Sequence, residues 1–190
     1  VPEGEARART GAAADLRARF GIPERVPFVL FTGRLVAGKG CEVLLKACAR
    51  LGSRPFALFL AGCGSPAYEE LLRNAARESG IGERTHFLGF VPQVRRLLEQ
   101  ADCCAFPSVW PESFGLTVIE AMQAGRALVT TDNGAQSEFV DAGLTGLLVP
   151  PGDDAALPRA LARPPDDSAA RPRPGRPGRG GGGHGEPGNH

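Results

Sequence analysis

Short apolar runs recur from Phe28 to Val149, each closed by glycine, proline or a polar turn. They are FVLFT at Phe28–Thr32, FALFLA at Phe56–Ala61, Thr85–Leu88, DCCAF at Asp102–Phe106, Ala127–Thr131 and Leu147–Val149. Runs this short, apolar without alternation, suit parallel strands covered on both faces. Helical patterns separate them: Cys41–Leu51, Ala67–Ser79, Gln93–Ala101, Leu116–Ala124 and Ala135–Val140, with a last segment to Leu161 capped by Asp153 or Asp154. Strands alternating with helices predict βαβ units with right-handed crossovers, and so an α/β domain built on a doubly wound parallel sheet.

The ends of the chain differ from this pattern. Residues 1–24 are polar and rich in Ala and Arg, and read as a lead-in or linker, with a short helix at Ala12–Phe20 stopped by Gly21 and Pro23. The domain occupies residues 25–163. From 164 to 190, Pro, Gly and Arg dominate, and RPRPGRPGRGGGGHGEPGNH holds too little apolar surface to offset its chain entropy. This tail is predicted to be disordered.

Composition excludes several classes of function. Of 190 residues, 42% are apolar and 23% charged, and the formal net charge is +1, so no global field points to nucleic acid or an anionic membrane. The apolar runs are far too short to span a bilayer, and no secretory signal pattern opens the chain. The first residue is not Met, which reads as a fragment or processed product. The five cysteines, Cys41, Cys48, Cys63, Cys103 and Cys104, lack C-x-x-C spacing. They are expected to be buried thiols of a reducing cytoplasm, not a disulfide or zinc framework. His86, alone in its strand, reads as a half-buried core residue rather than a catalytic one.

The candidate functional residues all fall just after strands, where open α/β sheets bind ligands. After the first comes GRLVAGKG, Gly33–Gly40, with the cations Arg34 and Lys39. It is neither G-x-x-x-x-G-K-[ST] nor G-x-G-x-x-G. Arg34 suits bidentate contact with a diphosphate and Lys39 a point charge; alone, the pair reads equally as two solvated loop cations. Gly62-Cys63-Gly64 follows the second strand, and Gly89-Phe90-Val91-Pro92 the third.

The fourth strand leads into PSVWPESFGLTVIEAMQAG, Pro107–Gly125. If Leu116–Ala124 is helical, Gly115 stands at its N-terminus, where unpaired amides and the helix dipole favour an anion. Glu112 and Glu120 are eight positions apart. On one helix that spacing would be about 12 Å, beyond the ~5–9.5 Å between the carboxyls of a glycoside hydrolase pair. Two acids gripping opposite ends of one extended ligand fit the spacing; charge placement alone favours two solvated carboxylates.

Taken together, FTGRLVAGKG with LLKA behind it, LAGCGS, FLGFV, AFPSVWPESFGLTVIEAM, AGRALVTTDNGAQSEFV and GLTGLLVPPGD resemble one family. They are similar to the C-terminal, donor-binding domain of retaining glycosyltransferases of the GT-B fold, family 4 (glycosyl transferases group 1), over roughly residues 20–160. The resemblance implies a Rossmann-like half of a GT-B fold that binds a nucleotide diphosphate sugar and transfers the glycosyl group to an acceptor hydroxyl with retention. It implies that Arg34 and Lys39 bind the diphosphate, with Gly33 letting the backbone approach. Glu120 would accept from the ribose hydroxyls, and Phe90 and Val91 would line the base pocket. Glu112 would face the transferred sugar, and the amides of Phe114, Gly115, Leu116 and Thr117 would hold sugar and phosphate oxygens. The implied catalytic set is Glu112, Arg34 and Lys39.

No D-x-D motif is present, so no metal or other cofactor is expected. The expected partners are the nucleotide-sugar donor, an unspecified acceptor and an N-terminal acceptor domain absent from this sequence; nucleic acid is not expected. The expected location is the cytoplasm, with any peripheral membrane contact assigned to the absent domain. The sequence departs from the family in that missing half, in the Pro/Gly/Arg tail, and at Asn133-Gly134, where many members carry two glycines. A nucleotide-sugar-binding fragment without turnover and a nucleotide-sugar epimerase are the competing readings.

Overall fold

The computed structural model describes residues 15–111, 115–134, 136–140 and 146–161. The predicted tail, Ala135 at the start of one expected helix, and the site candidates Glu112 and Phe114 lie outside them.

Six parallel strands form one sheet in the order β3-β2-β1-β4-β5-β6. They are β1 Phe28–Thr32, β2 Ala57–Ala61, β3 Thr85–Gly89, β4 Cys103–Phe106, β5 Ala127–Thr131 and β6 Leu147–Val149. β1 pairs residue for residue with β2, from Phe28 opposite Ala57 to Thr32 opposite Ala61. Every residue of β1, β2 and β5 is buried, which accounts for the uninterrupted apolar runs. The chain adds strands outward from β1 through β2 to β3, then returns to the other side of β1 with β4. The topological switch therefore lies between β1 and β4.

The helices are α1 Leu16–Phe20, α2 Cys41–Ala49, α3 Pro66–Glu78, α4 Val94–Leu98, α5 Leu116–Gln123, α6 Gln136–Phe139 and α7 Ala156–Leu161. They cover both faces. Phe20 of α1 packs on Phe59 and His86, which are paired neighbours and so share a face. Arg73 of α3 lies over Phe87, one residue on and therefore on the opposite face. α4 and α5 pack together, as do α2 with α3 and α2 with α7. Boundaries follow local chemistry. Asp15 accepts from the amides of Arg17 and Ala18 to open α1, and Gly21 closes it in the left-handed conformation. Ser65 caps α3 with Pro66 in its first turn, and the Asp153 carboxylate accepts from the Ala155 and Ala156 amides ahead of α7.

The stretch expected to be a lead-in supplies α1, which is joined to the sheet. Leu16 is buried and its amide donates to Gln100 Oε1 at 2.8 Å. The Arg17 guanidinium donates to Asp102 at 2.5 Å and to the carbonyls of Pro23 and Val26. Asp102 in turn accepts from the Phe28 amide at 2.8 Å. α4 is shorter than its sequence pattern: beyond Leu98 the amides of Gln100 and Ala101 turn back to Leu97.

Candidate functional site

All six strands run the same way, so the loops after them gather at one edge. There the β1–β2 pairing continues past the strand ends. The Gly33 amide donates to Ala61 O at 3.0 Å, the Leu35 amide to Cys63 O at 2.9 Å, and the Gly62 amide to Gly89 O at 2.8 Å. Glycine is required at Gly62, where φ is +154° and a Cβ would stand 1.7 Å from the Gly33 carbonyl oxygen. The weak G-x-G at Gly62-Cys63-Gly64 is thus a packing device that brings two turns into contact.

The Gly33–Gly40 turn is anchored by Leu35, which is fully buried, and closes with a short 3₁₀ turn at Ala37–Lys39. Arg34 is exposed and Lys39 half-buried. Across the switch point the turn locks onto the loop after β4. Gly38 O accepts from the amides of Val109 at 2.9 Å and Trp110 at 3.2 Å. Gly40, with φ +72°, lies so close to Pro107 that a Cβ would stand 1.8 Å from its carbonyl oxygen. On the far side Ser108 O accepts from Thr131 Oγ1 at 2.7 Å and from Asn133 Nδ2 at 3.5 Å. Asn133 thus adds a link between the ends of β4 and β5. Gly38, Gly40 and Gly62 lie in stretches the sequence singles out, but that they join separate loops was not legible there.

α5 begins as the sequence implied. Gly115 is its N-cap, left-handed with φ 57°, and its carbonyl accepts from the Val118 and Ile119 amides. The amides of Leu116 and Thr117 therefore point out of the helix start without intrahelical acceptors. Leu116 is 68% exposed. Glu120 is exposed on α5 and, with Gln123 and Ala124, faces Arg95 and Leu98 of α4 across an open groove. After β3, Phe90 is 75% exposed, whereas the Val91 side chain is turned into the core. Any contact from Val91 to a ligand would be through its backbone. Gly33, Arg34, Lys39, Phe90, Gly115, Leu116 and Thr117 thus occupy the carboxyl edge, with Glu120 one turn down α5. Among the described residues no group of three His, Cys, Asp or Glu side chains gathers, and no helix is long and apolar enough to cross a membrane.

Two side groups expected from sequence to be inert behave differently from each other. His86 is half-buried between Phe20 and Phe59, its Nε2 has no hydrogen-bond partner, and burial lowers its pKa. It is a core residue, away from the carboxyl edge. Cys41, Cys48 and Cys104 are buried and Cys103 partly so, and burial pushes the Cys41, Cys48 and Cys103 thiols up to about 12. Cys63 does not follow the expectation of burial: it is exposed, because it lies between the two glycines of the turn beyond β2 and not on a packed face.

The model of the glycosyl transferases group 1 family matches residues 13–179. The chain belongs to this family. It is 39% identical over 160 residues to a D-inositol 3-phosphate glycosyltransferase of Nocardia farcinica, covering 78% of this chain and 35% of the relative. It is 31% identical over 166 residues to an alpha-D-kanosaminyltransferase of Streptomyces kanamyceticus, covering 84% and 42%. Among solved structures it is similar to the Anabaena protein Alr3699/HepE in complex with UDP-glucose, with TM-score 0.73 and 30% identity over 77% of this chain and 40% of that one. The family chain described here thus spans well under half of the relatives it matches, and within that span has the Rossmann-like sheet of a GT-B half.

Proposed function

We propose that this chain is the donor half of a retaining, family 4 glycosyltransferase, binding a nucleotide diphosphate sugar whose glycosyl group passes to an acceptor hydroxyl. One observation carries the reading: at the switch point, the turn bearing Arg34 and Lys39 is locked to the loop that leads to α5, whose first amides and Glu120 lie beyond. Family membership and the UDP-glucose complex of the Anabaena protein support the same ligand class.

In this reading Arg34 and Lys39 bind the diphosphate, Gly33 allows the backbone to approach it, and the amides of Gly115, Leu116 and Thr117 hold oxygens of phosphate and sugar. Glu120 accepts from the ribose hydroxyls, and the Phe90-Val91 backbone borders the base. Glu112 faces the transferred sugar and the Phe114 amide joins those of Gly115, Leu116 and Thr117, as their places in the family motif imply. As the glycosidic bond to phosphate breaks, negative charge grows on the leaving diphosphate; fixed cations and amides stabilise it without reorganising. Glu112 orients sugar hydroxyls or stabilises positive charge on the ring; no covalent role is assigned to it. The reaction needs no metal in this scheme, and the enzyme works in the cytoplasm.

Calorimetric titration with UDP tests the reading: Arg34→Ala and Glu120→Ala each weaken binding, and unchanged affinity in both variants overturns it. A thermal-shift panel of nucleotide sugars then identifies base and sugar, since a ligand of the native state raises the unfolding temperature. A second reading, donor binding without turnover by this chain alone, draws on its 35–42% span of the curated relatives. Rapid transfer from a labelled donor by the purified chain excludes it, and an epimerised donor as product would exclude both.

A further inference from the structure

We infer that Trp110 is a specificity-determining residue whose exposed indole forms the platform for the pyranose ring of the nucleotide-sugar donor; this rests on the donor-half reading above. Trp110 is 64% exposed, although burying a ring of this size would stabilise the fold substantially. It is nonetheless fixed. Its Cδ2 and Cε3 lie where a Cβ on Gly38 would stand, 2.3 Å away, so the ring seats only because residue 38 is glycine. Its amide, with that of Val109, is tied to Gly38 O, and Pro107 just before it presses on Gly40. A large apolar side chain held from behind and left open in front is poised for a ligand rather than for the core.

Position selects which part of the ligand. The ring rests on the turn that ends at Lys39, one of the two cations assigned to the diphosphate. In a nucleotide sugar the pyranose is bonded directly to the distal phosphate, whereas the base is separated from that phosphate by a second phosphate and a ribose. The ribose, bonded to the other phosphate, is assigned to Glu120, so the group left for a surface beside the diphosphate turn is the transferred sugar. Its chemistry fits: a pyranose presents a face of C–H bonds to an indole, and its rim hydroxyls can accept from the indole N–H. The base, by contrast, is assigned to the end of β3, on the other side of β1 and β2.

The chain holds one tryptophan, so its emission reports on this residue alone. UDP-glucose is expected to change the emission well beyond any change produced by UDP. By calorimetry, Trp110→Ala should weaken UDP-glucose about five- to tenfold, from the usual scale of an aromatic contact, and leave UDP within about twofold; Trp110→Phe should restore most of the loss. Retained UDP binding shows that the variant is folded. Equal losses for both ligands would make Trp110 a prop of the diphosphate turn and overturn the inference, as would no loss for UDP-glucose. If the wild-type chain binds none of the nucleotide sugars of the thermal-shift panel, the donor reading itself fails, and this inference with it.

Discussion

The two edges of the sheet use arginine in opposite ways. At the amino edge, Arg17 is only 11% exposed; Asp102, the Pro23 and Val26 carbonyls and the Phe28 ring surround its guanidinium. At the carboxyl edge, Arg34 stands exposed on a turn whose backbone is immobilised by neighbouring loops, and its guanidinium has no such set of partners among the described residues. One arginine spends its donors on the fold; the other is held in place through its backbone and keeps its donors for something else. Rigidity and saturation separate here: the carboxyl edge is rigid because glycines let main chains touch, and the Arg34 guanidinium is left open to solvent.

The contrast breaks most visibly if glycine contacts matter no more at one place than at another. Gly40→Ala and Gly52→Ala carry similar left-handed strain, with φ of +72° and +61°, but only the first meets another main chain. Gly52→Ala should cost about 1 kcal/mol and Gly40→Ala about 3 kcal/mol, read from urea midpoints; equal costs would remove the basis for a cemented switch point.

Asp102→Ala strips Arg17 and the Phe28 amide of their acceptor and should destabilise by ~2–3 kcal/mol, with UDP affinity of the folded protein unchanged. Arg34→Ala should do the reverse, holding stability within ~0.5 kcal/mol while weakening UDP roughly 10- to 100-fold by calorimetry. A large stability loss at Arg34, or an affinity loss at Asp102, would blur the division.

Smaller effects sharpen it. His86 has a pKa lowered by burial, so the unfolded chain takes up its proton more readily. The stability it contributes is present above its ordinary titration range and declines as pH falls through that range. Urea unfolding at pH 7.5 and 5.5 should show that decline, and His86→Phe should reduce it. Finally, a thiol reagent at pH 8 should label one cysteine quickly. Cys63→Ser should abolish that fast phase, since the buried thiols are held far from ionisation.

The sheet was legible in the sequence because fully buried parallel strands must be apolar throughout, and runs such as Phe28–Thr32 have few other uses. The helix starts at Gly115 and at Asp153, one of two caps proposed there, were legible for a similar reason, since capping chemistry is local; the Ser65 cap ahead of Pro66 was missed, although it is a signal of the same kind. The short helix before Gly21 was legible too, but its attachment to the sheet was not: it depends on Arg17 meeting Asp102 across 85 positions, which no local pattern encodes. The candidate site was legible as a set of positions after strands, and Arg34, Lys39 and Glu120 lie at or near that edge as expected. Its assembly was not legible, because most of the contacts that unite it are main-chain hydrogen bonds and close approaches at glycine, between segments far apart in the chain. The seating of the Trp110 ring on Gly38 was hidden for the same reason.

The fit between Gly40 and Pro107 also constrains how such a domain can diversify. A change of length or residue in either segment at that junction has to be answered in the other, so the two are mechanically coupled. Grafting 33–40 alone into a homologue would carry half a joint; transplanting 33–40 together with 107–110 is the smallest exchange that keeps the seam closed.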